Sequence, residues 1–173
     1  MTMNNIILAE KQVMYDTFLS KYREAQMKIV IANDHGAVSL KKEILAYLYA
    51  QGYDVTNLGV DAETSVDYPD MAEKAADEFL KGGYDFGILL CGTGIGISIS
   101  ANKIRGIRCA LPQNRFAAEM SKSHNNANFL AFGGRIVYED SVADMIETFV
   151  KTSFEGGRHA GRIEKMMALE GKC

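Results

Sequence analysis

The 173-residue sequence predicts a three-layer α/β/α fold built on a five-stranded parallel sheet. Short runs rich in Ile, Val, Leu and Phe recur along the chain, and helix-like segments of roughly 10–15 residues separate them. The run at residues 85–90 is continuously apolar, as in a strand that is covered on both faces. Glycine or proline marks many of the junctions. Right-handed crossovers between such strands place helices on both sides of the sheet, which is the Rossmann-like arrangement.

From Lys28, strands and helices are expected to alternate regularly, and two helices follow the last strand. β-Branched and aromatic residues predict strands at 28–32, 54–58, 85–90, 107–111 and 128–132. Apolar periodicity predicts helices at 38–50, 69–81, 95–104, 114–123, 141–152 and 159–169. Gly52 suits the end of the first helix, Pro69 suits the first turn of the second, and Gly82 follows its end. In the first helix the apolar side chains are expected on one side and Lys41 elsewhere.

Residues 1–27 are predicted to be an N-terminal extension, separate from a domain at residues 28–173. Apolar residues at helical spacing (Val13, Met14, Phe18, Leu19 and Tyr22) could line one face of a helix. Two interpretations stay open for this segment. It is either an appendage without a packing role, or a helix that packs on the domain or on a partner chain.

The composition and charge of the chain indicate which classes of binding partner to expect. The chain is 47% hydrophobic and 24% charged with a net charge of −3, so neither nucleic acid nor a membrane is an expected partner. No apolar run approaches the roughly 20 residues that span a bilayer, and residues 6–9 are too short for a signal peptide. The three cysteines have no metal-ligand spacing and are expected to be reduced, in a cytoplasmic protein.

In such folds the site lies at the carboxyl ends of the strands, which selects residues 33–36, 91–96, 111–114 and 133–135. The glycines at 92, 94 and 96 lie between a buried strand and a helix, where backbone N–H groups bind anions. Their spacing is neither G-x-G-x-x-G nor a Walker loop. We therefore expect a small phosphate or an enolate oxygen rather than a dinucleotide cofactor.

Each polar candidate has a structural alternative. Cys91 is either a small core residue or a reactive thiol at a helix start, and Asp34-His35 is either a turn or a crevice pair. His124-Asn125 is either a helix end or a general acid/base. Arg158 and Arg162 lie one helical turn apart, so they form either a solvated face or a phosphate fork. Together with Arg135, this set suits proton transfer on a small phosphorylated carbonyl compound, without a metal.

At these residues the sequence resembles the type B ribose-5-phosphate isomerases, in the family that includes galactose-6-phosphate isomerase subunits. The similarity runs over residues 28–170 in family order. Its most specific stretches are the block at 91–103 (CGTGIGISISANK) and the block at 155–159 (EGGRH). The other matching stretches include Asn33-Asp34-His35-Gly36, Asp67-Tyr68-Pro69-Asp70 and Ala131-Phe132-Gly133-Gly134-Arg135.

The resemblance implies a metal-free aldose–ketose isomerase that needs no cofactor, acts on a sugar phosphate and works as a homodimer or a dimer of dimers. Cys91 matches the base that moves a proton between carbons 1 and 2, His124 matches a ring-opening residue, and Thr93 matches a hydroxyl near the reacting carbons. The loop amides of Gly92, Gly94, Ile95 and Gly96 would hold the enediolate oxygens. The phosphate-side positions are His35, Arg135, Arg158 and Arg162, and the sugar-hydroxyl contacts are Asp34, Tyr68 and Asn125. Part of each site in these dimers comes from the neighbouring chain.

Three departures from the family pattern bear on the substrate. Phe116 stands where many members carry Tyr, Asn126 stands where Asp is usual, and residues 112–115 differ from the common loop. The first hypothesis is interconversion of ribose 5-phosphate and ribulose 5-phosphate. The alternatives are a hexose 6-phosphate substrate of the allose or galactose type, and a non-catalytic sugar-phosphate-binding module. A dinucleotide-dependent oxidoreductase is disfavoured by the glycine spacing.

Overall fold

The five-stranded parallel sheet and the flanking helices are confirmed in a computed structural model that describes residues 26–62 and 64–172. The strands, in the spatial order β2-β1-β3-β5-β4, are β1 (Lys28–Asn33), β2 (Asp54–Asn57), β3 (Phe86–Cys91), β4 (Cys109–Ala110) and β5 (Phe129–Gly133). The helices are α1 (Val38–Ala50), α2 (Tyr68–Leu80), α3 (Ile95–Ala101), α4 (Arg115–Ser123), α5 (Val142–Lys151) and α6 (Arg158–Met167). Short 3₁₀ turns precede α1 (His35–Ala37) and follow α6 (Ala168–Gly171).

Strand β3 shows how the sheet divides the core into two layers. All six of its residues are buried, and alternate side chains point to opposite faces. Ile88 and Leu90 pack with residues of α1, α4 and α5. Leu89 and Cys91 pack with residues of α2 and α3. The continuous apolar run therefore reflects burial on both faces, as the sequence predicts.

The strand order reverses direction between β1 and β3, which pair side by side. The connections from these two strands leave on opposite sides, so a crevice opens at their carboxyl ends. Asn33 at the end of β1 pairs with Leu90 of β3, next to Cys91. The fold thus places the Asp34-His35 turn and the glycine loop at the same edge of the sheet.

The expected placement of Lys41 is wrong, because its side chain is only 1% exposed. Its ammonium group donates to the Val60 carbonyl at 2.6 Å and pairs with the Asp61 carboxylate at 2.5 Å. A buried charge is tolerated when it is paired and hydrogen-bonded in this way. Lys41 therefore holds the β2–α2 loop against α1.

Strand β4 is shorter than expected, at two residues instead of residues 107–111. The Asn102 side chain, just after α3, replaces a neighbouring strand: its oxygen accepts the Cys109 N–H and its amide group donates to the Cys109 carbonyl, both at 2.8 Å. Helix α3 ends at Ala101 rather than at the expected residue 104, because the next backbone bonds, from Lys103 to Ser100 and from Ile104 to Ala101, close tighter turns.

None of the helices in the described ranges has the length and apolar character that crossing a membrane requires. The apolar residues between 13 and 22, predicted to line a helix face, lie outside the described residues.

Candidate active site

The predicted site residues fall into two groups: one lies at the carboxyl ends of the strands, here called the carboxyl edge, and one lies at their amino ends, here called the amino edge. The carboxyl-edge group follows strands β1, β3 and β5 or begins α2, and comprises Asp34, His35, Tyr68, Cys91, Gly92, Thr93, Gly94, Ile95, Gly96 and Arg135. The amino-edge group lies at the end of α4 and in α6, and comprises His124, Asn125, Arg158 and Arg162.

Cys91 is the last residue of β3, and it is 4% exposed. Its Sγ accepts a hydrogen bond from the Gly94 N–H at 3.1 Å. An N–H group aimed at sulfur favours negative charge there, as does the start of a helix. Burial on the core side and a polar contact on the loop side reconcile the two sequence interpretations of this residue.

The glycine loop is shaped by close packing. Gly94 has φ +77, and a Cβ there would lie 2.6 Å from Leu111 Cδ1. A Cβ on Gly96 would lie 2.8 Å from the Tyr68 ring, so that ring packs directly on the start of α3. Thr93 is exposed beside the loop, and its Oγ1 accepts the Ile95 N–H at 3.4 Å. Gly94 is therefore required by both the space and the turn, and Gly96 is required by the space.

The main chain ties the glycine loop to the neighbouring strand ends. The Gly134 N–H donates to the Cys91 carbonyl at 2.8 Å, and the Arg135 N–H donates to the Gly92 carbonyl at 3.0 Å. The Arg135 side chain then runs beside Gly92, where a Cβ would lie 3.7 Å from Cδ and Nη1. The guanidinium group is held next to the loop by backbone bonds, which suits it to an anionic ligand.

Asp34 and His35 complete this edge. Asp34 is buried and its Oδ1 accepts the Gly36 N–H at 2.7 Å, which is the local cap that the structural alternative expects. His35 Nδ1 lies 3.3 Å from the backbone N and O of Val66, in the loop that leads to Tyr68. A cavity of about 250 Å³ lies between His35 and Arg135. The Arg135 guanidinium and the His35 imidazole line this cavity, which suits it to a small anion.

The amino-edge group is built around two stacked imidazoles. His124 caps the end of α4, and its ring lies parallel to that of His159, with centroids 4.1 Å apart and an angle of 9°. The Glu155 carboxylate lies 3.8 Å from His124 Nε2 and 3.5 Å from His159 Nε2. The Glu155 N–H donates to the Ser123 carbonyl, which joins the start of α6 to the end of α4.

Charge at this edge favours an anion over a cation. The ligand atoms of His124, Glu155 and His159 lie within 4.8 Å of one another, close enough to suggest a metal. However, Arg158 Nε donates to His159 Nε2 at 3.3 Å. Arg162 also lines a cavity of about 330 Å³ next to the two imidazoles. Burial, with repulsion from His124 and Arg158, lowers the pKa of His159 below its ordinary value, and Glu155 opposes this shift.

The two groups are not brought together within one chain. The His124 turn precedes β5, whereas Cys91 and Arg135 follow β3 and β5. At about 3.3 Å per residue, the strands place the groups on the order of 15–20 Å apart. Each edge therefore carries one part of the predicted chemistry.

Sequence reasoning assigned no role to Glu155 or His159, although both lie in the block at 155–159. No helical periodicity could have paired them, because Glu155 lies before the helix and the chain turns at Gly156 and Gly157, which both have positive φ. It also missed a larger cavity of about 560 Å³ between the end of α3, β4 and α6, which Asn125 shares with Arg108 and Met166.

The chain is similar in sequence to proteins of one known family. The sequence model of the family described as Ribose/Galactose Isomerase matches residues 29–166. Ribose-5-phosphate isomerase B of Escherichia coli strain K12 is 40% identical over 143 residues, which cover 83% of this chain and 96% of the relative.

Solved structures give the same result. Ribose-5-phosphate isomerase B of Clostridium thermocellum superposes with a TM-score of 0.81 at 48% identity, covering 84% of this chain and 99% of that one. The Thermotoga maritima ribose 5-phosphate isomerase has a TM-score of 0.79 at 46% identity, covering 82% and 98%. These likenesses extend over nearly the whole length of the two solved structures and over about four fifths of this chain.

Proposed function

The chain belongs to the ribose/galactose isomerase family, and from this premise we propose that it interconverts ribose 5-phosphate and ribulose 5-phosphate through an enediolate. The protein is an enzyme, a sugar-phosphate isomerase. The observation that supports the finer proposal best is the Cys91 thiol, buried at the end of β3 with the Gly94 N–H directed at its sulfur. Binding a sugar phosphate alone requires no thiol at that position.

In the proposed reaction, the Cys91 thiolate removes the proton from carbon 2 of the open-chain aldose. The electrons of that C–H bond form the C1–C2 double bond, and the carbonyl oxygen takes the negative charge. The amides of the 92–96 loop hold that oxygen, and such donors contribute about 2.7–4 kcal/mol each in comparable sites. The proton of the carbon 2 hydroxyl passes to the carbon 1 oxygen, and the thiol returns the first proton to carbon 1 as the ketone forms at carbon 2.

The remaining roles follow the charges of the two edges. His124 serves as the acid/base that opens the sugar ring, because an imidazole can both donate and accept a proton. Arg135 and His35 on one edge, with Arg158 and Arg162 on the other, hold the phosphate. Asp34, Tyr68 and Asn125 contact the hydroxyl groups, and Thr93 lies beside the reacting carbons. Phosphate binding remote from carbons 1 and 2 would position the sugar for proton transfer.

A homodimer reconciles these roles with the distance between the edges. We infer that the amino-edge group of one protomer completes the carboxyl-edge group of its partner, so that each dimer holds two shared sites. The exposed Ile95 and Ile99, one turn apart on α3 and 53% and 54% exposed, offer an apolar surface beside the glycine loop for such a contact. Closed two-fold assembly is the commonest form of oligomer.

A hexose 6-phosphate is the second candidate substrate. Phe116 lies in the first turn of α4 and is 68% exposed, so this edge lacks a hydroxyl where many relatives carry Tyr. A panel of ribose 5-phosphate, allose 6-phosphate and galactose 6-phosphate, compared by kcat/KM, separates the two candidates. A protein that is stabilised thermally by these sugars but exchanges no solvent proton into them would instead be the non-catalytic binding module.

The first experiment is isomerisation of ribose 5-phosphate by the purified protein in a buffer with chelator, with Cys91→Ala measured alongside. We expect turnover in the wild type and none in the variant, with equal melting temperatures within a few degrees. Full activity in Cys91→Ala would contradict the assignment of the base.

A further inference from the structure

We propose that Arg108 is a positioning residue that fixes the turn carrying His124 and Asn125, through its guanidinium contact with the Asn126 carbonyl. The inference rests on the proposed function for its kinetic consequences. The contact itself stands independently of the substrate. The stretch Gly106-Ile107-Arg108 is among those that resemble the isomerase family, but the sequence assigns Arg108 no role in the site.

The turn after α4 has an unusual backbone. Asn126 has φ +43, and it is the only non-glycine residue with positive φ in the described part of the chain. Asn tolerates this left-handed conformation better than most residues, but an additional restraint is needed to hold a single geometry. The Asn126 N–H closes the helix on the Lys122 carbonyl at 3.0 Å.

Arg108 supplies that restraint from the neighbouring strand. Its Nε and Nη2 both donate to the Asn126 carbonyl oxygen, at 2.9 and 2.7 Å. Its own main chain is fixed as well, because its N–H donates to Asn128 Oδ1 at 2.7 Å and its carbonyl accepts the Asn128 N–H at 3.1 Å. One residue therefore holds both ends of the short segment between the turn and β5.

The contact bears on function because this turn carries His124 and Asn125, two of the proposed site residues. Asn125 is exposed and the His124 side chain is 35% exposed, so neither is locked in the core. Stacking on His159 fixes the plane of the His124 ring, but the position of both residues depends on the backbone of the turn. The usual Asp at position 126 is also dispensable on this account, since Arg108 contacts the carbonyl rather than the side chain.

The test compares Arg108→Met and Arg108→Lys with Arg105→Met in the full chain. Arg105 lies three residues earlier and is 78% exposed, so it is a matched control for the loss of one positive charge. We expect Arg108→Met to raise KM for ribose 5-phosphate several-fold and to lower kcat by at least about tenfold. Arg108→Lys should recover part of both, because an ammonium group can donate to the same carbonyl. Arg105→Met should match the wild type.

Direction of turnover distinguishes a positioning role from simple loss of folded protein. Ribulose 5-phosphate has its carbon 5 oxygen blocked by phosphate, so it has no ring to open. Misplacing His124 should therefore lower kcat from ribose 5-phosphate more than kcat from ribulose 5-phosphate, whereas unfolding lowers both equally. Equal losses in both directions, or Arg108→Lys kinetics identical to the wild type, would overturn the proposal.

A second measurement needs no substrate. The imidazole C–H signals of His124 in an NMR spectrum should shift or broaden in Arg108→Lys and stay unchanged in Arg105→Met. If the wild type turns over no sugar phosphate, the proposed function fails while this spectrum still decides the positioning role. Should Arg108→Met fail to fold, Arg108→Lys, which keeps the charge, carries both readouts.

Discussion

The two edges of the sheet are held in place by different means. At the carboxyl edge, strand ends and backbone hydrogen bonds fix the site: Cys91, Gly92 and Gly94 are connected through main-chain groups to β5 and to one another. At the amino edge, side chains hold side chains, with stacked imidazoles and a shared carboxylate at the meeting point of two helices.

This difference matches the chemistry proposed for each edge. Stabilising an enediolate needs dipoles that do not move, which a rigid loop provides. Opening a ring needs a group that exchanges protons, which an imidazole provides. Holding a phosphate needs a long cationic side chain, which arginine provides. Because a single chain separates the two sets by the depth of its sheet, the comparison predicts that activity belongs to pairs of chains.

The largest expected effect is at the carboxyl edge. Cys91→Ala should lower kcat on the order of 10³-fold or more, since general acid–base groups contribute about 10²–10⁴-fold and the base has no substitute. Cys109→Ser is the matched control, because that thiol lies on β4 away from the loop. Steady-state kinetics on both variants checks this, and comparable losses in the two would refute the assignment.

Mixing two inactive variants tests the separation of the edges directly. Cys91→Ala and His124→Ala, refolded or co-expressed together, should regain roughly a quarter of wild-type activity, because half of randomly paired dimers are mixed and each holds one intact site of two. Each variant paired with itself is the control. Activity that never exceeds that of the separate variants would mean that both edges act within one chain.

Glycine replacements should have opposite effects at the two edges. Gly94→Ala places a Cβ against Leu111 at positive φ, so it should destabilise the fold by about 1–3 kcal/mol and lower kcat. Gly161 lies in α6, and a Cβ added there would meet nothing within 4 Å, so Gly161→Ala should stabilise by roughly 0.5–1 kcal/mol. Urea unfolding of both variants measures the contrast.

The smallest effect concerns acid stability at the amino edge. The pKa of His159 is lowered in the folded protein, so the unfolded chain binds the proton more tightly. Stability should therefore fall as the pH drops below about 6.5 and level off below the folded pKa. His159→Gln should show a shallower decrease between pH 7 and pH 5 in thermal unfolding, and an unchanged slope would exclude His159 as a source.

The order of elements and the carboxyl-edge loop were accessible from the sequence because both depend on local signals. A continuous apolar run identifies β3, and glycines at 92, 94 and 96 indicate a close backbone approach. The burial of Lys41 was not accessible, because its partners Val60 and Asp61 lie on a loop about 20 residues away. The stacking of His124 on His159 likewise depends on how α6 docks against α4, which no local pattern encodes.

The Asn102 side chain that covers Cys109 has a consequence for how copies of this protein meet. Strand β4 is one of the two edge strands of the sheet, and the N–H and C=O groups of its Cys109 are already bonded to one side-chain amide. An incoming strand therefore finds no free hydrogen-bonding groups on Cys109, which disfavours edge-to-edge strand pairing there. Pairing through β4 is thereby disfavoured, whereas the exposed Ile95 and Ile99 on α3 remain open to a closed two-fold contact.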